Sequence, residues 1–470
     1  MCTTVLVGKN ASINGATIMG RNDDSGLPLP HIKFLVTPAN NNQSGNYVSA
    51  INGFTMPLPK KALRYQSCPA MKEDGKGIYG EAGINEANIG MSATESLYGN
   101  ERVLALDPFV KNGLAEDSLL TVVLPYIHSA KEGVEFTGHL IEKYGSCEGN
   151  GIVFSDKNDV WYMEIPCGHH WVASRIPDDM CAVIANQASQ QEINFEDAEN
   201  FLHSPGIQEF VETNHLNPHQ EGWNFRQIFG TATSYDMHYN NPRVWSGQTI
   251  LGLDQSAEDP RSMDFPFLFK ANRQVSEADV AQVLSSHYNE TKYDPLGEGT
   301  ALEKTLYRPI SIYRTVSSHI IEINSHVAEA ASAVLWFNHG VTAFNPFVPF
   351  FANATDTSPR YTDTHLTYDE NDMFWITRSI SALVERSYPQ LKTMLATHLN
   401  DCQQEMNHHV AKTIDYVSAH PAEDSTEYLT IQNNVIGEWV YEKNRSFMND
   451  LVAAGLDFSK LTFKTYIKNG

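Results

Sequence analysis

The first 26 residues write a β-hairpin that starts at the very end of the chain. Thr3-Thr4-Val5-Leu6-Val7 is rich in β-branched residues and predicts a strand. Gly8-Lys9-Asn10-Ala11-Ser12 and Asn14-Gly15 are turn chemistry, and Ala16-Thr17-Ile18-Met19 returns as the second strand. A loop centred near residues 11 and 12 sets Cys2 opposite Arg21, since opposed residues of an antiparallel pair keep a constant index sum. The second strand then ends on Gly20-Arg21-Asn22-Asp23-Asp24-Ser25-Gly26 at the chain's own N-terminus. Any fold built on this hairpin must accommodate that terminus beside a cation and two carboxylates.

Cys2 follows Met1 directly, so removal of the methionine leaves a thiol and a free α-amine on one residue. The pair has the logic of an N-terminal threonine nucleophile activated by its own amine. An α-amine has a reference pKa of about 7.7–8.0, close to where a general base works at neutral pH. A free thiol, with a pKa near 8.5, is only slightly ionised there, and Arg21 suits the role of thiolate support. Asp24 suits a charge-assisted hydrogen bond to the α-amine or to an incoming substrate amine. Asp23 fits a solvated turn as well as it fits a function.

Further segments extend the pattern. They are Gly83-Ile84-Asn85-Glu86-Ala87-Asn88-Ile89-Gly90-Met91, Trp171 through Pro177-Asp178-Asp179 into Ile184-Ala185-Asn186-Gln187, Asn241-Pro242-Arg243-Val244-Trp245, and Ser286 through Asp294. Together with Met-Cys-Thr-Thr and Gly-Arg-Asn-Asp-Asp, the chain resembles the dipeptidases of peptidase family C69 from residue 1 to about residue 350. These are N-terminal-nucleophile (Ntn) hydrolases, akin to the bile-salt and penicillin V amidases. The resemblance implies an α+β fold, a four-layer αββα sandwich of antiparallel sheets with helical C-terminal additions. It implies Asn186 as a positioned active-site amide and Arg243 as the second active-site arginine. Bile-salt amidases carry an oxyanion asparagine just after the Asn-Glu-x-x-Leu-Gly segment, where this chain has Ala93-Thr94-Glu95-Ser96. A backbone N–H near Thr94 or Glu95 then becomes the candidate second oxyanion donor, or Glu95 the partner of a substrate ammonium.

Composition narrows the remaining classes. A net charge of -23 argues against binding nucleic acid through phosphates. The six cysteines are scattered without CxxC pairs, which fits a reducing compartment and argues against a disulfide frame or structural zinc. No signal-peptide pattern opens the chain and no long apolar run spans a bilayer, so a cytoplasmic protein without membrane association is expected. No linker tract divides the sequence, so residues 1–470 are read as one domain with a mainly helical extension over roughly 365–470. Helices are expected at Ser118–Leu124 and Val134–Tyr144, and in the tail at Glu370–Glu385, Gln390–Ala419 and Thr426–Ala454. The tail's apolar residues suit packing or subunit contacts, leaving a homo-oligomer open. Gly151–Ser155, Val160–Ile165, His169–Arg175 and Met180–Asn186 read as a single antiparallel meander, with Asn186 at a strand end.

Other motifs lose their apparent meaning in context. Gly75-Lys76-Gly77-Ile78-Tyr79-Gly80 is a GxGxxG string without a preceding strand or a following helix, so a dinucleotide site is not expected. His169-His170 with Cys167 suggests a metal only superficially, because adjacent strand residues face opposite sides. Trp336 through Phe347 is read chiefly as core. The expected function is therefore hydrolysis of dipeptides without metal or organic cofactor. Two alternatives stand beside it: an acyl-amide hydrolase of the bile-salt or penicillin V type, and a non-catalytic protein resembling the secernins.

Overall fold

The computed structural model describes residues 1–26, 29–71, 78–255, 258–421 and 424–460, with only the backbone at positions 78, 94 and 95. The Gly75-Lys76-Gly77 part of the GxGxxG string lies outside the described residues.

The hairpin forms as Thr3–Val7 against Thr17–Asp24, paired Thr4 with Arg21, Val5 with Gly20 and Leu6 with Met19. This register is shifted by two residues from the expected one. The loop centres later because the Ile13 N–H bonds the Val275 carbonyl and the Val275 N–H bonds back to Ala11. A slip of two preserves the side-chain face. Cys2 therefore still shares a face with Arg21, but Asp23, not Arg21, is the residue across from it when the ladder is continued by one pair.

The hairpin lies inside a six-stranded antiparallel sheet ordered Cys181–Ile184, Thr3–Val7, Thr17–Asp24, Thr315–Ile323, Ala333–His339, Val348–Phe351. The first of these strands corrects the expected meander. Cys181–Ile184 does not pair with Val172–Arg175. It crosses between sheets at Pro177-Asp178-Asp179 and pairs with Thr3–Val7, Thr4 facing Ile184. The Gly8 loop locks the crossing, its N–H bonded to the Met180 carbonyl, and a Cβ at Gly8 would lie 2.3 Å from the Pro177 carbonyl oxygen.

A second, eight-stranded antiparallel sheet runs Phe201–His203, Val172–Arg175, Val160–Ile165, Asn150–Ser155, Gly90–Ser96, Ala82–Asn85, Tyr65–Ser67, Leu35–Thr37. Alternation along these strands sorts the side chains into layers. Met19, Ile84, Val153, Tyr162 and Ile321 belong to the core between the sheets. The sheets approach tightly at Gly90, where a Cβ would lie 2.7 Å from the Met19 methyl carbon. Ile152, Phe154, Trp161 and Met163 face outward under helices Glu116–Val123 and Ala130–Tyr144, both close to expectation. On the far side, Asn241–Ile250 and Glu277–Leu284 cover the six-stranded sheet, with Val280 and Leu284 against Gly20. The result is the expected αββα sandwich.

The tail forms helices Met373–Arg386, Tyr388–Ala419 and Thr426–Asp457. Their buried faces (Leu391, Met406, Ile436 and Val440 among them) join the same core as Trp336 and Phe337. Asn433 accepts from the Phe351 N–H at 2.8 Å and donates to its carbonyl at 3.1 Å, so the helix Thr426–Asp457 covers a sheet edge that would otherwise present unpaired backbone. Among the described residues no helix is long and apolar enough to cross a membrane, and all six cysteines are free.

Candidate active site

Cys2 is buried at the end of its strand, between the two sheets. Strand alternation puts Cys2, Thr4, Arg21 and Asp23 on the face that looks at the second sheet. Arg21 uses that position fully. Its Nη1 donates to Cys2 Sγ at 3.0 Å, its Nε to Ser92 Oγ at 2.9 Å, and its Nη2 to the Glu81 carboxylate at 2.8 Å and the Ala93 carbonyl at 3.0 Å. Burial works against the guanidinium charge, but Cys2, Glu81 and Asp23 outweigh it and raise the Arg21 pKa. Behind Ser92 stands His319, its Nε2 at 2.9 Å from Ser92 Oγ. Burial, aided by Arg21, holds His319 well below the usual imidazole range, so the ring is neutral.

Continuing the other ladder past Thr4 and Ile184 brings Asn186 alongside Cys2 on the opposite flank from Asp23. Asn186 Nδ2 donates to the Ser96 carbonyl at 2.9 Å, and its Oδ1 accepts from Arg243 Nη2 at 2.9 Å. Arg243 is buried. Its Nη1 donates to the Cys2 carbonyl and to Thr3 Oγ1 at 2.8 Å, its Nη2 also to Asn240 Oδ1 at 2.8 Å, and its Nε to the Tyr239 carbonyl at 2.8 Å. Arg243 comes from the helix Asn241–Ile250. Pro242 falls in the first turn of Asn241–Ile250, where its missing N–H costs nothing, and a π-turn over Asp236–Asn240 leads in. Gly83–Met91 folds as parts of two strands around a turn at Glu86-Ala87-Asn88.

The acidic flank is built differently. Asp24 does not offer its carboxylate to the terminus as expected. Alternation turns its side chain away from Cys2, where Arg308 Nη2 ion-pairs it and Thr315 Oγ1 donates to it at 2.6 Å. Its main-chain carbonyl instead accepts the Met1 ammonium at 2.8 Å. Asp23 faces a cavity of about 740 Å³ that Met1, Asp24, Tyr79, Glu81 and Glu116 also line. Burial pushes Asp23 up to about 6 although Arg21 pulls it down, and burial, with Asp23 and Glu116 adding to it, raises Glu81 well above the usual range. The Met1 ammonium is pushed up to about 11. Burial opposes this, and Cys2, Asp24, Glu116 and Asp23 together override it.

Thr94 and Glu95 lie on the strand Gly90–Ser96, with a register irregularity between Ala93 and Glu95, but their side chains lie outside the described residues. His169 and His170 part company: His169 Nδ1 pairs with Asp107 at 2.8 Å and His170 Nδ1 with Ser204 Oγ at 3.0 Å. Sequence reasoning missed Arg308, Glu81, Glu116, Asn240 and Tyr239. Asn240, next to the quoted Asn-Pro-Arg run, is the one a closer reading would reach. Tyr239 sits under both guanidinium groups, 5.2 Å from Arg308 and 5.0 Å from Arg243.

The sequence model of peptidase family C69 matches residues 1–401. A "Probable dipeptidase" of Latilactobacillus sakei is 48% identical over 462 residues, covering 98% of this chain and 97% of that protein. "Dipeptidase A" of Lactobacillus helveticus is 37% identical over 467 residues, covering 97% and 96%. Among solved structures, penicillin V acylase from Agrobacterium tumefaciens aligns over 74% of this chain and 86% of its own with a TM-score of 0.31 and 15% identity.

Proposed function

This chain belongs to peptidase family C69, and from that premise we propose that it is a cysteine dipeptidase whose nucleophile is Cys2 after removal of Met1. The thiol proton passes to the Cys2 α-amine, and the sulfur, beside Arg21, forms a bond to the scissile carbonyl carbon. The carbonyl electrons move to oxygen. The second N–H of the Asn186 amide is the group suited to receive that oxyanion, because Arg243 and Ser96 fix the amide's orientation. Collapse breaks the C–N bond, and the α-ammonium returns its proton to the leaving amine. Water, deprotonated by the same amine, then attacks the thioester and frees the thiol.

The observation that supports this most directly is the Arg21 Nη1 contact to Cys2 Sγ at 3.0 Å, inside a buried network that also grips the Cys2 carbonyl through Arg243. Intact-mass analysis of purified protein, paired with hydrolysis of leucyl-leucine by wild type and Cys2→Ala, tests it. The expected result is a mass lacking the initiator methionine and a Cys2→Ala variant slower by about 10³-fold or more. A fully active Cys2→Ala protein, or full activity with Met1 retained, overturns it.

A further inference from the structure

We infer that the cavity beside Cys2 is the subsite for the substrate's own α-ammonium group, held against Asp23 and Glu116 where the Met1 ammonium now lies. This rests on the dipeptidase reading and adds how the enzyme selects an unblocked N-terminus.

The carboxylates around this cavity are not equivalent. Glu81 is ion-paired to Arg21 and Asp24 to Arg308. Among the described residues, neither Asp23 nor Glu116 has a cationic side chain in ion-pair reach. Glu116 only accepts a hydrogen bond from the Tyr79 hydroxyl. Burial raises Asp23, and Glu116 and Asp24 add to it against the pull of Arg21 and the terminal ammonium, so these carboxylates bear an electrostatic cost in the cavity they share. A cation entering from outside relieves it.

The chain itself supplies the second observation. Met1 lines this cavity, its ammonium bonded to the Asp24 carbonyl and favoured there by Cys2, Asp24, Glu116 and Asp23 together. Once Met1 is gone, the place it filled is open. A terminal ammonium is the group this place already accepts.

Distances suit the chemistry. Asp23 is the cross-strand neighbour of Cys2, and such neighbours have Cβ atoms about 4.5–5.5 Å apart on one face. In a dipeptide the ammonium nitrogen is two bonds, about 2.5 Å, from the carbonyl carbon that is attacked. An ammonium bonded to Asp23 thus brings that carbon to the sulfur. Leu29, Pro30 and Met71 on the cavity wall leave room and apolar surface for the first residue's side chain. An N-acylated substrate puts a neutral amide where the two carboxylates await a cation, and it is rejected for leaving them desolvated and unpaired.

The test uses mature wild type, Asp23→Asn and Glu116→Gln with leucyl-leucine, N-acetyl-leucyl-leucine and the des-amino analogue 4-methylpentanoyl-leucine. Wild type is expected to prefer the free dipeptide by about 10²-fold or more in kcat/KM. Each variant should raise the KM for leucyl-leucine by about tenfold and narrow the preference over the des-amino analogue, with kcat changed much less. Competition against wild type supplies a readout that needs no variant to fold. Isopentylamine should inhibit competitively and isopentanol should not. Wild type that hydrolyses leucyl-leucine while both variants keep its KM and its preference overturns this inference alone, as does equal inhibition by amine and alcohol. Wild type inert toward every free dipeptide overturns the dipeptidase reading itself.

Discussion

The two flanks of Cys2 solve opposite electrostatic problems. On one, Arg243, Asn186, Asn240 and Thr3 form a closed network in which the cation's N–H groups meet neutral oxygens. On the other, Asp23, Glu81 and Glu116 crowd three carboxylates around a cavity, and among the described residues only Glu81 of the three is ion-paired to an arginine. The first flank is complete within the chain, which is what a group that must be rigid at the moment of bond-breaking requires. The second is left in want of positive charge, which is what a group that must recognise a cation requires. Arg21 stands between them, one edge on Cys2 and the other on Glu81.

Because Arg21 serves both flanks, Arg21→Ala should do the greatest damage. It removes the thiolate's partner and leaves Glu81 buried without its counter-ion, a loss of the order of 3–5 kcal/mol in stability. Thermal melting and dipeptide assays should fall together, and a variant that melts like wild type breaks the view that Arg21 joins the two sides. Asn186→Ala sharpens the contrast by touching only the finished flank. The expected effect is a drop in kcat of about 10²–10³-fold with KM for leucyl-leucine little changed. A rise in KM with unchanged kcat would move Asn186 from oxyanion support to substrate binding.

The finished flank was the more legible in the sequence, and for a physical reason. Its residues sit beside local patterns: Asn186 lies two residues past the strand Cys181–Ile184, and Arg243 follows Asn-Pro at a helix start. The hairpin's face was legible because period-2 alternation survives a two-residue error in register. The sheet crossing at Pro177-Asp178-Asp179 was not, since those turn residues look alike whether the next strand pairs back or leaves for another sheet. The acidic flank was the least legible. Glu116 opens a helix, Glu81 follows a glycine string, and Arg308 belongs to none of the described helices or strands. A single charged residue has no periodicity, so only tertiary packing reveals that these converge. Asp24 shows the same limit from the other side: its neighbour Asp23 shares Cys2's face, and the choice between them turns on the register.

The acidic flank also makes the gentlest prediction, one of pH rather than mutation. Asp23, at about 6 with the Met1 ammonium beside it, is ionised above that pH and takes a proton below it, and a substrate ammonium takes that ammonium's place in the mature enzyme. Around it stand Arg21 on its own strand, the terminal amine, Glu81, Glu116 and Asp24, and Arg378 from helix Met373–Arg386, whose own pKa feels Asp23. A dipeptide's ammonium, with a pKa of about 7.7–8.0, keeps its charge on the acid side of neutrality, so the loss of attraction on acidification belongs to the carboxylate. The KM for leucyl-leucine should therefore rise as pH falls below 6, approaching about tenfold per unit, and Asp23→Asn should flatten that limb. Unfolding of this group's making cannot imitate the effect. A carboxyl whose folded pKa lies above its unfolded value of about 3.9 stabilises the fold more as pH drops through 6, not less. Steady-state kinetics from pH 5 to 8, with melting followed in the same buffers, separates the two. An Asp23→Asn variant that keeps the wild-type acid limb assigns that proton elsewhere.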